Sequence, residues 1–169
     1  RVYIRKQKSD DNLFATQPYR DVCSYRINSL MNYENTLNLG ECETWMKFYE
    51  EIMKLKEQTV SFIKKVKSEG KTIIGYAAST KGNTILNVFG LDCSMIDAIA
   101  DRNPLKWGLK AVGSNIPIIS EEEMRKKHPD YLFVLAWGFI KEFTERESEY
   151  LQRGGKMIVT SPRFKIIEK

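Results

Sequence analysis

The stretch that most constrains how this chain can fold is Lys71 to Asn87, KTIIGYAASTKGNTILN. Thr72-Ile73-Ile74 is a short apolar, β-branched run of the kind that a parallel sheet buries on both faces. Gly75, Ala77 and Ala78 then strip side-chain bulk from a turn where backbone has to approach something closely. Ser79, Thr80, Lys81, Gly82 and Asn83 follow, and Thr84-Ile85-Leu86 continues as the apolar face of a helix. The hydroxyl of Ser79 or Thr80 can cap that helix by accepting a bond from an otherwise unpaired amide. Uncovered amides and the positive end of the helix dipole suit a phosphate, and Lys81 adds a mobile positive charge. Ser79, Thr80, Lys81 and Asn83 are therefore candidate contacts for a phosphate or pyrophosphate; the alternative is a tight turn packed for its own sake. A dinucleotide fingerprint would require glycine at Ala77, and the Walker spacing is absent. The pattern points to nucleotide binding without naming a reaction.

Elements of the same kind recur on both sides. A long helix is predicted from about Thr44 to Ser68, because Trp45, Phe48, Ile52, Leu55, Thr59, Phe62 and Val66 fall on one stripe. Ser94 to Ala100 reads as a second strand, and Ile116 to Ile119 as a short extended segment. Ser120 with Glu123 marks the start of a helix reaching about Lys127. Tyr131 to Ala136 is a third buried strand, Phe139 to Gln152 a helix, Lys156 to Thr160 a fourth strand, and Phe164 to Ile167 a last extended piece. Strand and helix in alternation imply parallel pairing with right-handed crossovers and helices on both faces. The expected fold is α/β, a Rossmann-like three-layer sandwich with a mostly parallel sheet over residues 41–169. Residues 1–40 are expected to form an extended arm with one short helix around Val22 to Asn32.

The opening run, Arg1-Val2-Tyr3-Ile4-Arg5-Lys6, alternates like a strand that has no partner in the residues after it. It reads as the last strand of a sheet lying upstream. The alternatives are pairing with an edge of the sheet above, or with a second copy of the chain, which would make a homodimer.

Asp101 closes the second strand where an acidic residue of a nucleotide-binding half commonly bonds a ribose hydroxyl. The alternative is a cap on the turn made with Asn103-Pro104. Arg102 lies beside it, and Trp137 follows the third strand at the carboxyl end, where ligands gather in open α/β sheets. The lone histidine, His128, sits in a helix exit and is not expected to be catalytic.

The net charge of +5 is modest and scattered, which argues against a nucleic-acid partner but leaves room for a small anionic ligand. No apolar run approaches membrane-spanning length. Cys23, Cys42 and Cys93 are odd in number and widely spaced, so a disulfide framework or zinc site is not expected within the chain and a reducing, cytoplasmic setting is.

Several stretches together resemble one family: GYAASTKGNTILN, the ADRNPLKWG turn, GSNIPIIS, PDYLFVLAWGF and GGKMIVTSP. They are similar, in order and spacing, to the carboxyl-terminal domain of S-adenosylmethionine-dependent C-methyltransferases acting on nucleotide-linked deoxysugars. RVYIRK resembles the last strand of that family's methyltransferase domain. The resemblance implies a three-part parent whose zinc-binding part and methyl-transfer domain lie upstream, carrying the zinc, the S-adenosylmethionine and the catalytic groups. This piece would then hold the nucleotide-diphosphate sugar and be inactive alone. Ser79, Lys81 and Asn83 would meet the diphosphate or sugar, with Asp101 and Arg102 beside them. Two positions depart from the family pattern: Ala77 stands where glycine is frequent, and Gly138 where a polar Asn or His follows the tryptophan. Two other readings stay open, a nucleotide-sugar module of another carbohydrate enzyme and a non-catalytic Rossmann-like dimerisation or packing domain.

Overall fold

The computed structural model describes residues 17–169, with side chains from residue 21 onward. The strand expected over Arg1 to Lys6 lies outside the described residues. The chain divides into two compact units, Arg1–Tyr49 and Glu50–Lys169. That boundary falls inside a helix.

In the first unit, the short helix expected around Val22 to Asn32 runs as α1, Gln17–Thr36, a much longer element. A turn with Asn38 at φ 50° leads into α2, Cys42–Ser68, whose Trp45 indole donates to the Leu39 carbonyl at 2.8 Å. Tyr25, Leu30 and Tyr33 of α1 are exposed, and so are Trp45, Phe48 and Tyr49 at the start of α2. The expected core stripe of α2 therefore excludes Trp45 and Phe48. It comprises Thr59, Ile63 and Val66, with Ile52, Leu55 and Phe62 half-buried.

The second unit is built on one sheet. Its strands are β1 (Ile73–Tyr76), β2 (Ala98–Asp101), β3 (Ile118–Ser120), β4 (Tyr131–Val134), β5 (Lys156–Val159) and β6 (Lys165–Ile167), in the order β3-β2-β1-β4-β5-β6. All neighbouring pairs are parallel except β5 with β6. Side chains alternate across the pleat, so each strand feeds two cores. Ile73, Ile99, Phe133 and Ile158 face α2 and α3 (Thr80–Phe89), which supplies Leu86 and Phe89. Ile74, Tyr76, Leu132, Val134 and Met157 face α4 (Glu121–Lys127), α5 (Ile140–Arg146) and α6 (Ser148–Gln152) through Met124, Phe143 and Leu151. This is the three-layer α/β sandwich expected.

Two expected elements are shorter. The strand predicted from Ser94 begins only at Ala98, because the Asp92 carboxylate gathers the Ser94 amide and hydroxyl into a turn. Asp97 is likewise occupied, accepting from the Ile73 amide at 2.8 Å and from Lys67 at 2.8 Å. The helix predicted over Phe139 to Gln152 is a 3-10 turn at Trp137–Phe139 followed by α5 and α6, which break at Glu147. Glu147 is only 3% exposed. It turns inward to accept from the Tyr76 hydroxyl at 2.7 Å and from Arg125 Nε at 3.1 Å, with Arg125 Nη2 also closing on it. Burial pushes the Tyr76 phenol well above its ordinary range, and hydrogen bonding to Glu147 raises the Arg125 guanidinium further.

Ala77 has φ 70°, in the left-handed region that costs an L-residue roughly 1–2 kcal/mol. Glycine, however, loses more entropy on folding, by about 0.4–1 kcal/mol. Ala77→Gly is thus expected to stabilise the protein by about 0.5–1 kcal/mol in urea denaturation. A loss of stability would mean that the methyl group packs for more than its strain costs.

Candidate functional site

The strand order reverses between β1 and β4. The chain leaves β1 for α3 on one face of the sheet and leaves β4 for α5 on the other, so a crevice opens at their carboxyl ends. It is a cleft of about 320 Å³. Ala77, Ala78 and Ser79 form one wall, Asp101, Arg102 and Lys106 a second, and Ala136, Phe139, Glu142, Phe143 and Arg146 a third, with Glu121 between them.

The β1–α3 turn is held by its own bonds. The Ala77 amide donates to the Ala100 carbonyl at 2.8 Å, the Ala78 amide to Asp101 Oδ2 at 2.8 Å, and the Ser79 amide to the Ala77 carbonyl at 2.8 Å. Ser79 caps α3 by accepting from the Gly82 amide at 3.0 Å while its hydroxyl donates to the Leu135 carbonyl at 2.9 Å. That second bond ties the start of α3 to the end of β4. Among the first amides of α3, those of Thr80 and Lys81 have no partner among the described residues.

Asp101 is nearly buried and engaged on both oxygens: Oδ1 accepts from the Asn103 amide at 2.8 Å, and Oδ2 from Ala78 and from Lys106 Nζ at 3.1 Å. Lys106 also donates to the Ala78 carbonyl at 2.8 Å. The pair braces the turn against β2, so the cap on the Asn103 turn is formed, and Asp101 has little acceptor capacity left for a ribose hydroxyl.

Of the sequence-predicted site residues, the cleft brings together Ser79, Asp101 and Arg102. Thr80 and Lys81 are exposed beside Ser79 but do not line it, and Lys81 forms no ion pair among the described residues. Asn83 is half-buried one turn along α3, with Oδ1 sealed from solvent and unpartnered. Trp137 packs instead on the core beneath α4, α5 and α6. Beyond Gly138 there is open space, so a side chain at that position would fit without a clash.

Sequence reasoning missed Arg146, Glu142, Phe139 and Phe143. A charged residue within the apolar line of a helix is the only signal that could have found Arg146. Its guanidinium lies over the Tyr76 ring at 5.6 Å and the Phe143 ring at 5.1 Å.

A larger hollow of about 700 Å³ lies at the amino ends of β4 and β5, lined in part by His128, Asp130, Tyr150 and Gly155. Its charges are largely paired with one another, as in Lys126–Glu122 at 2.7 Å and Arg153–Glu149 at 3.0 Å. Asp130 is spent on the Thr72 amide at 2.9 Å and on Lys71 at 3.0 Å, which hold its carboxyl below the ordinary range. Ligand chemistry in this fold belongs to the other end of the sheet.

Residues 12–162 match the family described as the C-methyltransferase C-terminal domain. The chain belongs to that family. It is 33% identical over 141 residues to the C-methyltransferase NovU of Streptomyces niveus, an alignment covering 83% of this chain and 34% of NovU. This C-methyltransferase C-terminal domain thus spans about a third of the length of the curated relative it matches. Among the described residues no group of three or more His, Cys, Asp or Glu could hold a metal ion, and no helix is long and apolar enough to cross a membrane. Cys23, Cys42 and Cys93 are free thiols.

Proposed function

We propose that this domain is the substrate-holding part of an S-adenosylmethionine-dependent sugar C-methyltransferase, and that its sheet-end cleft, together with the start of α3 at the cleft's rim, takes the diphosphate of a nucleotide-linked sugar. The supporting observation is the pair of unpartnered amides at Thr80 and Lys81, next to Ser79 at the switch point of the sheet. Amides at a helix start and a free lysine form an anion site. Methylation at carbon needs a base and a bound methyl donor. Both, together with any zinc, are assigned to the part of the protein that corresponds to the other two-thirds of NovU. The domain alone carries out no methyl transfer.

A calorimetric titration with uridine, thymidine and guanosine diphosphates tests the reading. At least one is expected to bind, and Lys81→Ala to weaken it about five-fold, the equivalent of about 1 kcal/mol. No heat with any of the three, and unchanged turnover of the full-length enzyme on Lys81→Ala, would count against it.

The exposed aromatic and aliphatic side chains of α1 and early α2 favour a second role for the first unit, packing against protein. The methyl-transfer domain of the same polypeptide is the proposed occupant. A homodimer in solution mass measurements of the full-length enzyme, lost when Tyr25 and Phe48 become serine, would assign that surface to a second copy instead.

A further inference from the structure

Arg146 reaches the cleft from α5 with its guanidinium over the Tyr76 and Phe143 rings, yet it is poorly paired. Its side chain is 21% exposed, while Nε and Nη1 are sealed and have no hydrogen-bond partner. The nearest acids are Glu142, whose Oε1 lies 3.4 Å from Nη1, and Glu121, whose Oε1 lies 3.7 Å from Nη2. Both are ion-pair distances beyond the length of a charge-assisted hydrogen bond, which is about 2.7–2.9 Å. Glu121 is also shared with Arg125 Nη2 at 3.2 Å. Across the cleft, Arg102 Nη1 lies 3.5 Å from the same Glu142 oxygen. One half-exposed carboxylate oxygen thus stands between two guanidinium groups and completes a hydrogen bond with neither.

We propose that Arg102 and Arg146 form an anion clamp and that Glu142 is its built-in occupant, a carboxylate that an incoming diphosphate displaces. The inference rests on the cleft being the diphosphate site. A phosphate presents several oxygens, in a geometry that a planar guanidinium matches with paired bonds. It can therefore satisfy both arginines where a single carboxylate oxygen cannot. The Tyr76 and Phe143 rings beneath it already restrict the Arg146 side chain, so less freedom is lost on binding. Displaced, Glu142 moves into solvent from an already exposed position. Weakly charged or neutral ligands do not compensate for that separation, which makes Glu142 a selectivity residue for dianions.

The test measures affinity for uridine diphosphate and inorganic pyrophosphate in the full chain and in four variants. Glu142→Gln is expected to bind both about five-fold more tightly, and Arg102→Gln and Arg146→Gln each about ten-fold more weakly. Glu145→Gln removes an equal charge from the exposed side of α5 and is expected to change nothing, which separates displacement from general electrostatics. Arg102 is exposed, so its variant remains informative if Arg146→Gln fails to fold. Binding by the wild type that neither Glu142→Gln nor Arg102→Gln alters would overturn the clamp and leave the cleft reading intact through α3. Equal gains from Glu142→Gln and Glu145→Gln would also overturn it. No binding by any form, Glu142→Gln included, would remove the cleft reading and the clamp together.

Discussion

Replacing Glu147 with alanine is expected to destabilise the domain by about 2 kcal/mol, mainly because a buried hydroxyl loses its acceptor. The carboxylate sits where α5 and α6 part, and it is the acceptor for a Tyr76 hydroxyl that has no exposure to solvent. Truncation leaves that O–H without a partner, at about 1–3 kcal/mol, and frees Arg125, which is half-exposed and can rehydrate. Glu147→Gln keeps one acceptor oxygen and should cost less than alanine. Tyr76→Phe removes the orphaned hydroxyl, so adding it to Glu147→Ala should cost less than it does alone. Equilibrium urea denaturation of the four proteins measures this cycle. A loss below about 0.5 kcal/mol for Glu147→Ala, the range of ordinary surface changes, would show that the network is not holding the sheet to α5.

Gly82→Ala is expected to destabilise by about 2 kcal/mol, against the sign that helix propensity gives. Alanine in a helix interior gains about 1 kcal/mol over glycine. Here the added Cβ would overlap the Leu135 Cβ and lie 2.8 Å from the Leu135 carbonyl oxygen, which already accepts from Ser79. Neither neighbour is a flexible side-chain end. Overpacking of this kind costs roughly 1–3 kcal/mol or more, and relief requires α3 to move away from β4, which would widen the cleft. The variant should unfold at lower urea and bind nucleoside diphosphate more weakly. An unchanged or higher midpoint would mean that α3 is not seated against the end of β4.

Much of the second unit was legible because its signals are local. The β-branched run before Gly75, the Ser79 cap and the Ser120–Glu123 start each depend on residues within a few positions, and all formed. Burial on both faces made β1, β4 and, after Lys156, β5 apolar, and those strands stand where expected. Less legible were features set by partners far along the chain. Glu147 shares a helical line with Phe143, Tyr150 and Leu151, and only the distant Tyr76 and Arg125 explain why a carboxylate there ends one helix and starts another. Arg146 gave no sign in sequence of a cleft that β1, β2 and α5 assemble. Lys81, expected from its neighbours to contact phosphate, is exposed and does not line the cleft. In the first unit, α1 exceeds its expected length because helical spacing is read from buried residues, and its apolar side chains are exposed.

Where a nucleoside diphosphate meets the protein decides whether the carboxyl end of the sheet is the ligand site. Backbone amide shifts of the isotope-labelled chain, followed during titration with uridine diphosphate, locate that contact. The largest changes are expected at Thr80, Lys81 and Arg102, with Ala78 and Ser79 following as the turn adjusts. Changes confined to His128, Asp130 and Gly155, at the opposite end of the sheet, would contradict it.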